Sequence, residues 1–185
     1  MKKRVFLVFI SLIISCEEPK TKQRFLPDSS AKINHLTVVM PKKSWEGSLG
    51  NKIRALLETP YEGLPFNEPQ FTLKHIPPKV FTGFAKNSRN IIWFVKDTIA
   101  RFQLIENLMA QPQLVAKVTG EDDEVQTYFL EENISLFKAA LTEKERLEKR
   151  RRIKKSPTEE RNLQNRFNIG LVYPTAYKTV KDTTN

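Results

Sequence analysis

Few side chains in this sequence have the types and spacing that catalysis or metal binding requires. His35 and His75 stand alone in strand-like segments, without a second ligand at a spacing typical of zinc sites. We therefore interpret both as structural histidines and expect no metal. The motifs G-x-S-x-G and H-E-x-x-H are absent, and no S-x-x-K occurs together with its partner motifs. The sequence thus nominates no catalytic residue and no cofactor, and it favours a protein that is not an enzyme.

An acidic run, residues 121–124, admits two interpretations. A calcium loop needs oxygen ligands at alternating positions, a glycine at the turn and a glutamate downstream, and this run lacks that pattern. Acidic side chains also stabilise the positive end of the helix dipole when they stand in the first turn. We therefore predict that the run begins a helix.

The same helix becomes strongly basic over residues 144–155, which hold eight basic and two acidic residues, a net charge of +6. At 100° per residue the cations fall on every side, so a membrane-surface helix with an apolar face is not expected. Two interpretations stay open: a solvated helix that projects beyond the core, and contact with a polyanion such as lipid phosphate or acidic polysaccharide. The candidate polyanion-binding residues are Lys149, Arg150, Arg151, Arg152, Lys154 and Lys155.

The beginning of the chain has the order of features of an export signal. Lys2, Lys3 and Arg4 precede an apolar run over residues 5–14, and the small Ser15 stands directly before Cys16, the only cysteine. About ten apolar residues are too few for a helix across the bilayer, which needs about twenty. The pattern resembles a bacterial lipobox, in which the cysteine carries diacylglycerol and the peptide before it is removed. We therefore predict a signal peptide over residues 1–15 and lipidation of Cys16.

A lipidated Cys16 has consequences for charge and partners. Two or three acyl chains hold a protein on a membrane without a protein span. Loss of Lys2, Lys3 and Arg4 lowers the basic residues from 31 to 28 against 21 acidic ones, so the net charge falls from +10 to +7. We expect a membrane-anchored lipoprotein of the bacterial envelope, in the outer membrane, with an anionic envelope component as a partner and no nucleic acid. Glu17 and Glu18 fit either a signal for surface display or simple solvation of a tether.

Residues 16–30 are polar and proline-containing, which predicts a flexible tether, and residues 31–185 fit one domain. Hydrophobic patterns predict strands at residues 34–40, 70–76, 113–119 and 170–173. Residues 90–95, which contain the continuous apolar run 91–95, are predicted as the central strand. Helices are predicted from Ser44 to residue 57, from the acidic run onward, and from a capping box at Ser156 to residue 167. Residues 98–110 fit either a helix or a strand. The fold class is α+β: a mostly antiparallel or mixed sheet packed by two to three helices, one of them long and basic at its C-terminal end.

Five short stretches carry a resemblance to a known family. They read LPDSS at residues 26–30, WEG at 45–47, SRNI at 88–91, AQPQ at 110–113 and YPTAY at 173–177. In this order they resemble an uncharacterised family of Bacteroidota lipoproteins that is known only as a domain of unknown function. The resemblance implies an α+β envelope lipoprotein and a strand at residues 98–106, and it carries no activity. Members of that family continue with further strands, which implies that this chain is a C-terminally truncated member.

These features predict a lipid-anchored envelope protein that acts as a non-catalytic binding or scaffolding module. The alternative is a hydrolase of envelope polymers. Its site would be built from dispersed carboxylates that the fold brings together about 5 to 9 Å apart, as in glycosidases.

Overall fold

The computed structural model describes residues 25–159, 161–178 and 180. Cys16, the predicted signal peptide and most of the predicted tether lie outside these residues. The described part confirms the predicted α+β class, with a mixed five-stranded sheet and a long helix packed on it. Within it, no helix combines the length and apolar composition that a membrane span needs.

The sheet has the strand order β2-β1-β3-β5-β4. Four strands run parallel and β4 pairs antiparallel with β5 at one edge. The starts of β1, β3 and β5 therefore lie along one edge, here called the amino edge, and their ends lie along the carboxyl edge. The strands are β1 His35–Val39, β2 Thr72–Ile76, β3 Asn90–Lys96, β4 Arg101–Glu106 and β5 Leu114–Gly120. The segment that fitted helix or strand is thus β4, as the family resemblance implied.

Side chains alternate between the two faces of the sheet, as the two-residue period of a strand requires. On one face, Val38, Ile92 and Val118 pack in the main core with the helices α2 Ser48–Leu57 and α3 Asp123–Lys155. On the other face, Val39, Ile91 and Val115 form a smaller core. Its cover includes Phe81, which lies between the 3₁₀ turns Pro78–Val80 and Gly83–Asn87. The prediction that β3 is buried on both faces is confirmed.

The first predicted helix is interrupted at a glycine. Helix α1 Lys42–Glu46 ends at Gly47, and α2 begins directly after it, so the predicted cap at Ser44 is wrong. The two helices meet closely at Gly50, where a Cβ atom would lie 1.9 Å from the carbonyl oxygen of Trp45. Both glycines in the helical pattern therefore mark this corner.

Helix α3 begins at the acidic run, as predicted. Asp122 is its N-cap and accepts a hydrogen bond from the backbone N–H of Val125 at 2.9 Å. The helix starts shortly after β5 and packs on it, so it runs back toward the amino edge. Its 33 residues span about 50 Å at 1.5 Å per residue, which carries its C-terminal end beyond the strands.

The predicted helix start at Ser156 is wrong. Pro157–Glu159 forms strand β6 and pairs antiparallel with β7 Val172–Pro174, and helix α4 begins only at Arg161–Phe167. Ser156 does not cap a helix, because its carbonyl and hydroxyl groups bond Thr175 at 3.2 and 2.9 Å. Pairing with residues 13 to 17 positions away thus prevails over the local capping signal.

Candidate functional site at the amino edge

The strongest polar cluster of the described residues lies where the C-terminal half of α3 passes over the amino edge. Glu145 is buried there although it is charged, with 2% of its side chain exposed. Its Oε1 accepts hydrogen bonds from Arg89 Nε at 2.9 Å and from Asn90 Nδ2 at 2.6 Å. Its Oε2 accepts from the backbone N–H of Asn34 at 2.7 Å and from Arg89 Nη2 at 3.2 Å. A buried carboxylate needs this degree of pairing to offset its lost hydration.

Arg89 also holds the segment that enters the domain. Its Nη1 and Nη2 donate to the carbonyl oxygens of Ala31 and Lys32 at 3.1 and 2.9 Å. Just before these residues, isolated bridges join Asp28 to Gln111 and Ser30 to Ser88. The end of the predicted tether is therefore fixed to the amino edge.

One turn further along α3, Glu148 forms a second buried acidic centre. It accepts hydrogen bonds from Arg151 at 2.6 and 2.8 Å and from Arg152 at 2.7 Å, and Arg89 Nη1 lies 3.8 Å away. The hydrogen bonds from Arg151 are the largest influence and, with Arg152 and Arg89, they lower the pKa of Glu148 to about 2, although burial acts in the opposite direction. The same hydrogen bonds to Glu148 raise the pKa of Arg151.

The structure separates the six predicted polyanion-binding residues into two groups. Arg151 and Arg152 are engaged with Glu148, and Arg152 also donates to the carbonyl oxygen of Ala31 at 2.8 Å. The other four are exposed, and no ion pair within the described residues involves them: Lys149, Arg150, Lys154 and Lys155. We call these four the free cations.

The end of α3 is therefore not simply a solvated arm. The side of the basic segment that carries Glu145 and Glu148 is buried and faces Arg89. Strand β7 also packs against the helix. The free cations lie on the exposed part of this segment, where Arg151 and Arg152 are also accessible, with 48% and 42% of their side chains exposed. Arg151, Lys155 and Asp28 line a cavity of about 540 Å³ beside this end.

Sequence reasoning missed Arg89, Asn90 and Glu145 as site residues. The available signal was two polar residues ahead of the continuous apolar run 91–95: Arg89 directly before β3 and Asn90 at its first position. Their partner Glu145 lies 56 residues after Arg89, inside a highly charged run where it resembles an ordinary surface residue. Only the path of α3 over the amino edge brings them together.

A second concave region lies at the carboxyl edge. It encloses about 630 Å³, and its acidic lining residues are Glu121, Asp122 and Asp123. It lies between the ends of β1 and β3, where the connections leave in opposite directions along the sheet, a place where α/β proteins often bind ligands. Two of the three carboxylates have structural partners: Asp122 caps α3, and Asp123 accepts a hydrogen bond from Ser44 Oγ at 2.8 Å.

The side chain of His75 has structural partners, and His35 takes part through its backbone. His75 stacks on Trp45 with 5.1 Å between ring centroids, and its Nε2 lies 2.9 Å from the carbonyl oxygen of Met40. The carbonyl oxygen of His35 accepts a hydrogen bond from Asn90 Nδ2 at 3.3 Å. No group of three or more potential metal ligands occurs among the residues that the structure describes.

The fold and the site together define a small α+β domain whose amino edge is closed by buried ion pairs and bordered by free cations. The chain belongs to a family described as a domain of unknown function (DUF8532), whose family model matches residues 29–154. That match includes the whole five-stranded sheet and α3 up to Lys154. No curated protein and no solved structure that was compared with the chain matches it.

Proposed function

We propose that this protein is a lipid-anchored bacterial envelope protein, attached through Cys16, that acts as a non-catalytic binding or scaffolding module for an anionic envelope component. We further propose an outer-membrane location in Bacteroidota, as the family resemblance implies. The observation that carries the binding proposal is the exposure of the free cations at the C-terminal end of α3. The sequence of the first sixteen residues supports the anchor.

The contacts of the basic segment support a binding surface more than a stability role. Lys144 pairs with Glu106 at 2.8 Å, and Arg151 and Arg152 pair with the buried Glu148. These cations are already used within the fold. Lys149, Arg150, Lys154 and Lys155 form no ion pair among the described residues, although the charge of Arg150, after the hydrogen bonds from Arg146, helps to lower the pKa of the exposed Glu143. Clustered like charges raise the local concentration of anions.

The anchor is tested by metabolic labelling of cells with a clickable palmitate analogue. Lipidation predicts that the wild-type chain is labelled and that Cys16→Ala is not. Labelling that persists in Cys16→Ala would contradict the anchor.

The anion-binding surface is tested by elution of the full chain from a sulfated dextran column in a salt gradient. Arg150→Glu with Lys154→Glu is expected to elute at clearly lower salt than the wild type, because two free cations become anions while the pairs on Glu148 stay intact. Lys79→Glu with Lys96→Glu makes the same change in net charge at the carboxyl edge and serves as the control. Equal elution of the two double variants would mean that net charge alone, and not this surface, governs binding.

A second candidate function rests on the concave region at the carboxyl edge. Three acidic residues line it together with Lys43 and Lys96, which is a composition that a hydrolase of envelope polymers could use. The test is release of soluble fragments from purified peptidoglycan and envelope polysaccharide by the wild type and by Glu121→Gln. Glu121 is the informative position because Asp122 and Asp123 are already engaged in caps and hydrogen bonds. Activity that Glu121→Gln abolishes would establish the hydrolase, and absence of release by the wild type would reject it.

A further inference from the structure

We propose that the free cations dock on anionic phospholipid headgroups of the same membrane that holds the lipid on Cys16, so that the amino edge of the sheet faces the bilayer. This inference rests on the anchor in the proposed function and names the anionic partner. It also fixes the orientation of the domain.

The tether reaches the domain at the amino edge. Asp28 lines the same cavity as Arg151 and Lys155, and Arg152 donates a hydrogen bond to the carbonyl oxygen of Ala31. The chain therefore enters the domain directly beside the basic end of α3. A lipid at the far end of the tether pulls this end, and not the carboxyl edge, toward the membrane.

The length of the tether limits how far the entry point can lie from the membrane. Eight residues lie between Cys16 and Phe25, the first described residue, which makes nine steps from Cα to Cα. Even a fully extended chain of that length spans at most about 32 Å. Helix α3 alone is about 50 Å long, so the tether is short compared with the domain. The entry point stays near the headgroups, and a weak surface contact there becomes effectively intramolecular.

The surface next to the entry point has a chemistry that suits lipid headgroups. The free cations complement anionic headgroups, and such contact does not need the apolar helix face that insertion would require. Phe25 is 94% exposed and stands three residues before Asp28, which lines the same cavity as Lys155. Leu171 and Val172 are 46% and 50% exposed in or beside β7, which packs on α3. Cations bordered by exposed apolar groups suit a lipid interface better than a hydrated polysaccharide.

The test uses the full chain, lipidated in cells, purified in detergent and reconstituted into vesicles. Cys16 is the only cysteine, and in the lipidated chain its thiol is occupied. A fluorophore can therefore be placed on Lys149→Cys, which replaces one free cation and leaves the other three, or on Glu46→Cys near the carboxyl edge. Quenching by a headgroup-labelled lipid reports which end faces the bilayer. Vesicles of phosphatidylcholine alone are compared with vesicles that also contain phosphatidylglycerol.

In vesicles with phosphatidylglycerol we expect the fluorophore at position 149 to be quenched at least three-fold more than that at position 46. The difference should shrink in about 1 M salt, where the screening length is roughly 3 Å, and in phosphatidylcholine alone. Arg150→Glu with Lys154→Glu and Lys155→Glu should abolish it. Lys43→Glu with Lys79→Glu and Lys96→Glu, an equal charge change at the carboxyl edge, should leave it intact.

Equal quenching at both positions, with no dependence on phosphatidylglycerol, would overturn the inference. If the chain still bound sulfated dextran through the free cations, the proposed function would stand and its partner would be a polysaccharide. A chain that carries no lipid and does not enter the vesicles would overturn both the anchor and this orientation.

Discussion

Arg89 is the residue on which the amino edge most depends, because one guanidinium joins α3 to the segment that enters the domain. Replacing it with methionine leaves Glu145 buried without its main counter-charge and removes one hydrogen bond to each of the carbonyl groups of Ala31 and Lys32. Loss of one partner of a buried pair typically costs about 3–5 kcal/mol. We expect Arg89→Met to lower the free energy of unfolding by about that amount, measured by urea denaturation. Arg146→Ala, which breaks only the exposed pair with Glu143, should barely change it. A similar small effect at Arg89 would show that the buried pair contributes little.

Glu148 gives the amino edge an acid sensitivity. Its pKa in the folded state is about 2, below the ordinary value of 4.5, so its ion pairs stabilise the fold fully above about pH 4.5 and lose that effect as the pH falls toward 2. With allowance for the screening of Arg151 and Arg152 by solvent, the contribution is roughly 1–2 kcal/mol. We expect Glu148→Gln to be less stable than the wild type at pH 7, with a difference that narrows below pH 4.5. Denaturation midpoints at several pH values measure this, and a constant difference down to pH 2.5 would contradict it.

The sequence predicts the role of a single residue only where the signal comes from its neighbours in the chain. Asp122 could be predicted as a helix cap because capping depends on residues within one turn. The six cations were visible as a run, but their division into structural and free ones depends on which side of α3 meets Arg89. Gln113 shows the same limit, since its side chain bonds the backbone at Lys86, Ser88 and Met109, and nothing local indicates a buried hub.

Among the elements, the corner between α1 and α2 depends on a glycine. A Cβ atom at position 50 would lie 1.9 Å from the carbonyl oxygen of Trp45, and this neighbour is backbone that cannot rotate away. We expect Gly50→Ala to lower the free energy of unfolding by about 1–3 kcal/mol, the usual cost of overpacking, although alanine is the better helix former. Ser48→Ala, at an exposed position of the same helix, is the control and should stay within about 0.5 kcal/mol of the wild type. Thermal unfolding of both variants measures this, and a more stable Gly50→Ala would show that the corner has room to open.

The elements that the sequence predicts well are those with long, regular patterns. Strand β3 and helix α3 follow from a continuous apolar run and from a cap followed by helical periodicity. The errors lie where two signals compete. Gly47 divides a continuous apolar stripe into two helices, and the capping box at Ser156 yields to pairing between β6 and β7. Parallel pairing of β1, β2, β3 and β5 also needs contacts between distant residues. The sequence pattern therefore did not determine which pairs of strands are parallel and which are antiparallel.

For the whole molecule, the two edges of the sheet have different roles. The amino edge is closed by buried charges and receives the tether, whereas the carboxyl edge holds the larger cavity and the turns that lead into α2 and α3. If the free cations face the membrane, the concave region at the carboxyl edge is turned away from it. An envelope partner or polymer would then reach that region without interference from the bilayer.

The predicted boundary between tether and domain lies at residue 30, and the backbone contacts of residues 27–30 lead to a prediction about it. Four backbone hydrogen bonds join residues 27–30 to the domain: Ser29 to Gln111, Gln111 to Pro27, Ser30 to Asn87 and Arg89 to Ser30. Such bonds contribute about 0.5–1.5 kcal/mol each, less the entropy of ordering the segment. We therefore expect a chain that starts at Phe25 to be as stable as one that starts at Cys16. A chain that starts at Ala31 should lose roughly 1–3 kcal/mol in urea denaturation. If all three unfold at the same urea concentration, residues 27–30 belong to the tether, which then reaches the boundary at residue 30 that composition predicts.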